Sequence, residues 1–179
     1  FDINENKYIV LIKHPLSSEK EDAYIQMKTT LVAVEEFCKE TSIKAVGIYP
    51  NTDPGSFDIL NAIKESEGSE YVKFYKNLPR EIFINLLRKS LALVGNSSMG
   101  VLEAPFYKLP VVNIGNRQKG RLNAGNVEFV EYNNEKIKEA LSKACFDARY
   151  RGRVRGLESP YGDGGASGKI KDILLSINR

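Results

Sequence analysis

Short apolar runs alternate with amphipathic stretches along the whole chain. Six of these runs predict strands, at residues 8–13, 44–49, 71–75, 91–94, 110–114 and 126–132. The first run is apolar without interruption from Tyr8 to Ile12, which is typical of a strand that is buried on both faces of a sheet. Helices are predicted between the strands, and this alternation favours an α/β fold with a doubly wound parallel sheet.

The helical predictions rest on apolar spacing and on residues that cap or break helices. They cover residues 21–40, 57–66, 80–89, 133–148 and 169–177, and a further helix ends at residue 107. In the first helix, residues 17–21 can begin the helix by capping. Its inward face is approximated by Ile25, Leu31, Val34, Phe37 and Cys38. Segment 149–156 is basic and broken by glycine, so we expect it to be solvated or disordered.

The final helix is predicted to carry an apolar face. That face is formed by Ile170, Ile173, Leu174 and Ile177. The loop before it, residues 159–167, is rich in turn-forming residues.

Polar residues follow the predicted strands at their carboxyl ends. The residues at or just past those ends are His14, Asn51, Leu78, Ser97, Ser98 and Arg117. Ligands of doubly wound sheets bind at this edge, because the loops after the strands converge there. The topology therefore predicts one crevice that receives side-chain or backbone groups from five loops.

The segment 95–103, Gly-Asn-Ser-Ser-Met-Gly-Val-Leu-Glu, predicts a strand end, a tight turn and a helix start. Free N–H groups and the hydroxyls of Ser97 and Ser98 suit a phosphate there, and Gly95 and Gly100 would let a ligand approach the backbone. Glu103 could hold a ribose or sugar hydroxyl beside it. The competing interpretation is a plain serine N-cap followed by a solvated carboxylate.

The other candidates also have structural alternatives. His14, the only histidine, could bind a phosphate or move a proton, or be structural. Asn51 and Asp53 lie in a Pro-Asn-Thr-Asp-Pro-Gly segment that turn formation alone explains. Arg117 offers a fork that matches phosphate oxygens, or belongs to a solvated basic loop.

Composition excludes several classes of function. The net charge of +3 is too small to argue for a nucleic-acid partner, and no apolar run approaches the ~20 residues of a membrane span. Cys38 and Cys145 fall in helical patterns and are expected to be reduced core thiols in a cytoplasmic protein. With one histidine, neither a metal site nor a cofactor is expected. The chain begins at Phe1 without a methionine, which suggests a fragment whose upstream part is missing.

Four motifs together carry a family resemblance. They are segment 95–103, residues 49–56 (Tyr-Pro-Asn-Thr-Asp-Pro-Gly-Ser), 113–121 (Asn-Ile-Gly-Asn-Arg-Gln-Lys-Gly-Arg) and 161–166 (Tyr-Gly-Asp-Gly-Gly-Ala). Their sequences, and the order in which they occur along the chain, resemble the C-terminal half of UDP-N-acetylglucosamine 2-epimerases, and most closely the hydrolysing branch. The resemblance implies one Rossmann-like half of a two-domain GT-B-type architecture. Residues 1–165 would form the UDP-binding domain, and residues 166–179 a helix that packs toward the N-terminal domain.

The resemblance also implies roles for individual residues. Ser97 and Ser98 would bind the UDP phosphates, and Glu103 the ribose hydroxyls. The remaining UDP contacts would come from His14, Asn51, Arg117 and, near the uracil, Leu78. The family reaction eliminates UDP, forms a glycal and adds water, and its proton-transferring carboxylates come largely from the other domain. His14 is the one candidate here for a direct catalytic role.

Three kinds of protein remain open at this point. The first is the UDP-binding half of a hydrolysing epimerase that yields N-acetylmannosamine for sialic or nonulosonic acid synthesis. The second is a GT-B glycosyltransferase with the same UDP pocket, and the third is a non-catalytic UDP-sugar sensor. The expected partners are UDP or UDP-N-acetylglucosamine, the N-terminal domain of the same enzyme and further copies of the chain.

Overall fold

A single six-stranded sheet forms the centre of the computed structural model, which describes residues 7–162 and 164–177. The strands are β1 (Tyr8–Ile12), β2 (Lys44–Ile48), β3 (Val72–Tyr75), β4 (Leu93–Gly95), β5 (Val111–Ile114) and β6 (Val127–Val130). Their order is β3-β2-β1-β4-β5-β6, and every neighbouring pair is parallel. The predicted doubly wound parallel sheet is confirmed.

The described residues contain seven α-helices, of which the last three follow β6. They are α1 (Ala23–Thr41), α2 (Ser56–Glu65), α3 (Arg80–Arg88), α4 (Met99–Leu102), α5 (Asn134–Phe146), α6 (Ala148–Arg155) and α7 (Ala166–Ile177). Short 3-10 helices precede α1 at Ser17–Asp22 and follow α4 at Ala104–Tyr107. The helix predicted to end at residue 107 is therefore one α-helical turn and one 3-10 turn, because Pro105 lacks the N–H that would continue the α-helix.

The sheet separates two apolar layers. Ile9 and Leu11 face the layer that contains α1, α2 and α5, whereas Val10 and Ile12 face the layer that contains Leu87 of α3. Successive strand residues point to opposite faces, so a strand covered on both sides is apolar at every position. Cys38 and Cys145 are buried and unpaired in the first layer, as predicted for core thiols.

The start of α1 differs from the prediction. The side chain of Ile25 is 57% exposed, because the buried stripe runs through Ala23, Met27 and Leu31 and places Ile25 on the other side of the helix. No side chain caps either the 3-10 helix or α1. The 3-10 turn runs directly into α1, so Asp22 already has helical dihedral angles and lacks the extended geometry of a capping residue.

The basic segment 149–156 was predicted to be solvated or disordered, and that prediction was wrong. It forms α6, which Asp147 caps by accepting a hydrogen bond from Tyr150 N at 2.8 Å. Tyr150 and Val154 are buried one helical turn apart, and Arg151 Nη1 donates to the carbonyls of Leu91 and Ala144 at 2.8 and 2.9 Å. Two buried side chains at helical spacing outweigh the charge of the arginines.

Helix α7 presents its apolar residues to solvent. Ile170, Ile173, Leu174 and Ile177 are 57–71% exposed, and no residue of α7 is buried. The two ends of the chain at residues 1–6 and 178–179, and Asp163 of the fourth motif, lie outside the described residues. Within the described residues, no helix has the length and apolarity needed to cross a membrane.

Candidate functional site

The carboxyl ends of β1 and β4 lie side by side at the point where the strand order reverses. β1 is flanked by β2 on one side and β4 on the other. The helices that follow β2 and β4 cover opposite faces of the sheet. The crevice of a doubly wound sheet opens at this switch point, since the loops diverge there. His14 follows β1 and residues 96–98 follow β4, so both segments lie at its rim.

Asn96 joins these two loops. Its side chain Oδ1 accepts a hydrogen bond from His14 N at 2.7 Å, and Nδ2 donates to His14 O at 2.8 Å. Asn96 is 1% exposed. Asn96 was not among the predicted site residues, although a polar residue directly after a buried strand, inside motif 95–103, was a usable signal.

His14 is held as a neutral ring. Its Nδ1 accepts a hydrogen bond from Asn51 N at 3.0 Å, so the ring proton is assigned to Nε2. Burial, reinforced by the positive charge of Arg117, lowers the pKa of His14 to about 4, although Asp53 opposes this. Near neutral pH, His14 therefore offers one N–H donor and no charge.

The loop after β5 reaches the same anchor. Arg117 Nη1 and Gln118 Nε2 both donate to Asn96 O, at 3.2 and 3.0 Å. Gln118 is 1% exposed, and its Oε1 has no hydrogen-bond partner within the described residues. Sequence analysis missed Gln118, whereas the neighbouring Lys119 and Arg121 of the predicted basic loop are exposed.

Asp53 ties the loop after β2 to this assembly. Its Oδ2 accepts a hydrogen bond from Asn51 Nδ2 at 2.5 Å and lies 3.8 Å from Arg117 Nη2. The pairing of Asn51 with Asp53 is the local turn interaction that the sequence allowed as an alternative. The backbone of Asn51, by contrast, orients His14 across 37 residues of sequence.

The hydroxyl groups of Ser97 and Ser98 are available at the rim. Both residues are half-buried, and Ser98 is the first residue before α4 but makes no side-chain capping bond. Ser97 Oγ accepts a long hydrogen bond of 3.4 Å from Met99 N. Glu103 is half-buried at the junction between α4 and the following 3-10 helix.

The two glycines of motif 95–103 are explained by packing inside the protein. At Gly95, where φ is +126°, a Cβ would lie 2.0 Å from the carbonyl oxygen of Ile12. A Cβ on Gly100 would lie 2.8 Å from a methyl group of Val111. Close approach of β1 to Gly95 and of α4 to β5 at Gly100 accounts for both glycines, and the expectation that they also admit a ligand stays a prediction.

Leu78 lies apart from the other candidates. It is half-buried after β3, the edge strand, two strands away from β1. No hydrogen bond within the described residues joins it to His14 or Asn96. The structure thus brings together the loops after β1, β2, β4 and β5, and leaves the loop after β3 at the far end of the same edge.

A parallel sheet in this order, with polar loops meeting at its switch point, defines a Rossmann-like ligand-binding domain. A family model described as "UDP-N-acetylglucosamine 2-epimerase" matches residues 2–175. The chain belongs to this family, as its motifs predicted.

Individual relatives support the family and the fold. The chain is 31% identical over 173 residues to a protein of Legionella pneumophila named "UDP-N,N'-diacetylbacillosamine 2-epimerase (hydrolyzing)"; the match covers 97% of this chain and 44% of that protein. A structure of UDP-GlcNAc 2-epimerase from Neisseria meningitidis bound to UDP-GlcNAc is similar with a TM-score of 0.77 and 21% identity, covering 97% of this chain and 46% of that one. The S. aureus MnaA–UDP co-structure is similar with a TM-score of 0.76 and 24% identity, and the match covers 96% of this chain and 45% of that one. The chain thus spans less than half the length of these proteins.

Proposed function

We propose that this chain is the UDP-binding half of a hydrolysing UDP-N-acetylglucosamine 2-epimerase, which eliminates UDP and yields N-acetylmannosamine for sialic or nonulosonic acid synthesis. One observation carries the proposal. The loops after β1 and β5 are both hydrogen-bonded to Asn96, directly beside the hydroxyls of Ser97 and Ser98. A pre-organised group of donors beside one arginine suits a diphosphate.

The diphosphate would be bound by four side chains. Arg117 supplies the positive charge. Its guanidinium donates to Asn96 O at 3.2 Å, and its ion pair with Asp53 is loose at 3.8 Å, so the charge remains able to attract an anion. His14 supplies Nε2–H, while Ser97 and Ser98 supply hydroxyl donors. The His14 ring and the Arg117 guanidinium are already oriented by hydrogen bonds, so little ordering of these two side chains is needed on binding.

The nucleoside would extend along the same edge of the sheet. Glu103, one helical turn beyond Ser98, would accept hydrogen bonds from the ribose hydroxyls. Asn51 would complete the pocket on the β2 side, and the backbone near Leu78 would lie against the uracil. Asn51 and Leu78 follow neighbouring strands, β2 and β3.

In the proposed reaction this half stabilises the leaving group. Loss of UDP from C1 leaves negative charge on the β-phosphate, which Arg117 and the neutral donors would stabilise. Abstraction of the C2 proton is assigned to carboxylates of the other half, and His14 remains the candidate here for contact with the reacting sugar. Since its ring is neutral with the proton on Nε2, we assign it hydrogen-bond donation to the departing phosphate oxygen.

Helix α7 is the proposed contact with the upstream half. Its exposed isoleucine and leucine side chains form an apolar surface that residues 7–162 leave uncovered. Covering such a surface with the missing domain removes it from water. We therefore propose residues 1–165 as the UDP-binding domain and 166–179 as the docking helix, within a cytoplasmic homo-oligomer.

The test is calorimetry with UDP on the native-length protein. Ser98→Ala and Arg117→Ala are each expected to weaken binding by about 1–3 kcal/mol, because a hydrogen bond to a charged group is lost. Lys119→Ala, a neighbouring exposed cation, is the matched control and should change affinity little. Unchanged affinity in both site variants would exclude the phosphate assignment. Release of free N-acetylmannosamine without any acceptor separates the epimerase from a glycosyltransferase.

A further inference from the structure

Lys13 is a buried cation that the proposed UDP site does not yet use. It follows β1, directly before His14, and is 1% exposed. Its Nζ donates to Gln26 Oε1 at 3.4 Å and to Tyr132 Oη at 3.2 Å, and lies 4.9 Å from the centre of the Tyr132 ring. Lysine side chains are rarely buried this fully, because removing the ammonium from water costs free energy. The burial of Lys13 therefore suggests a specific role.

The contacts of Lys13 continue toward the anion site. Gln26 Nε2 donates to Glu19 Oε2 at 2.8 Å, and the other oxygen of that carboxylate accepts from Asn116 Nδ2 at 3.1 Å. Asn116 is the residue before Arg117. A chain of hydrogen bonds thus runs from Lys13 through α1 and the first 3-10 helix to the loop after β5.

We propose that Lys13 is a positioning residue for the anion site: through Gln26 and Glu19 it holds Asn116, and therefore the Arg117 loop, in its binding geometry. This inference rests on the proposed binding of UDP. The ammonium orients the amide of Gln26 by donating to its oxygen, which leaves the amide N–H₂ to donate to Glu19. A neutral, non-donating side chain at position 13 would release that orientation.

The protonation state of Lys13 allows its role to be tested separately from simple packing. Burial lowers its pKa to about 8, Glu19 opposes that shift and Arg117 adds to it. The other ionisable groups near it are His14 and Tyr132, and burial and Glu19 raise the pKa of Tyr132. Lys13 therefore loses its proton in a range where UDP keeps its charge.

The experiment compares UDP with uridine on the native-length protein by calorimetry. Lys13→Met keeps the length and apolar stem of the side chain but removes the ammonium. It is expected to weaken UDP binding about tenfold, which is ~1.4 kcal/mol, while uridine binding changes less than twofold. Lys20→Met, an exposed lysine in the adjacent 3-10 helix, is the matched control and should leave both affinities within twofold.

A second variant separates positioning from bulk charge. Glu19→Gln makes the site more positive, so a purely electrostatic role predicts tighter UDP binding. Positioning predicts weaker binding, and no additional loss when Glu19→Gln is combined with Lys13→Met, since both break one chain. In wild type, the preference for UDP over uridine should fall between pH 7 and 9, because the neutral amine is a weaker donor to Gln26 than the ammonium, and in Lys13→Met it should stay flat.

Several outcomes would overturn the inference. They are unchanged UDP affinity in Lys13→Met, equal losses for UDP and uridine, or tighter binding in Glu19→Gln. Absence of UDP binding in wild type would instead reject the proposed function, and the inference with it. If Lys13→Met does not fold, Glu19→Gln still decides between the two interpretations.

Discussion

Replacement of Asn96 by alanine tests whether the rim of the sheet depends on one side chain. The amide of Asn96 makes two hydrogen bonds to the backbone of His14, at 2.7 and 2.8 Å. Asn96→Ala leaves the N–H and the C=O of His14, which is half-buried, without these partners. Each lost hydrogen bond is expected to cost about 1 to 2 kcal/mol of stability. We therefore expect the free energy of unfolding to fall by about 3 kcal/mol.

The assay is urea denaturation of the native-length protein followed by far-UV circular dichroism, together with calorimetry of UDP binding. Asn61→Ala removes an exposed asparagine from α2 and serves as the control, with an expected change within about 0.5 kcal/mol. UDP affinity should fall in Asn96→Ala even at temperatures where the protein stays folded, because the His14 loop loses both of its bonds to the side chain of residue 96. The backbone carbonyl that accepts from Arg117 and Gln118 remains in this variant. A loss of stability below about 1 kcal/mol with normal UDP binding would refute this reasoning.

Three further predictions follow from the same contacts. Gly95→Ala is expected to prevent folding or cost more than about 4 kcal/mol, since its Cβ would overlap the carbonyl of Ile12; a soluble variant with wild-type thermal stability would contradict this. As pH falls from 6.5 toward 4, the unfolded chain binds a proton at His14 that the folded chain, with a pKa near 4, does not. Wild type should therefore lose stability relative to His14→Gln. A difference in urea midpoint between the two proteins that is the same at pH 7 and at pH 4.5 would exclude this. The isolated 179-residue chain is expected to bind UDP without converting UDP-N-acetylglucosamine, and measurable turnover in a coupled UDP-release assay would show that the proton chemistry lies in this half.

β1 at the centre of the sheet was predictable because burial on both faces leaves an unbroken apolar run in the sequence. All six predicted runs contain or overlap the observed strands, and the alternation of strands with helices predicted that the strands are parallel. The ends of helices were less predictable. At α1 a preceding 3-10 turn replaced the expected cap, and at α6 two buried side chains overrode a basic composition. Both outcomes depend on contacts that neighbouring sequence does not contain.

The candidate site shows the same division. Strand ends and loop chemistry indicated His14, Ser97, Ser98 and Arg117, because topology alone brings the carboxyl ends of parallel strands to one edge. The roles of Asn96 and Lys13 depend on which backbone atom or side chain lies opposite, across 82 and 119 residues of sequence. No local pattern encodes those pairings.

The sequence by itself determined the alternating α/β architecture, the edge of the sheet where the polar loops meet and the family to which the chain belongs. Local periodicity and short motifs are sufficient for these, since each depends on residues close together in the chain. The tertiary structure decided that His14 is a neutral donor, that Gly95 serves strand packing and that Asn96 anchors two loops. Those properties come from burial and hydrogen bonds between distant segments, which exist only after the chain has folded.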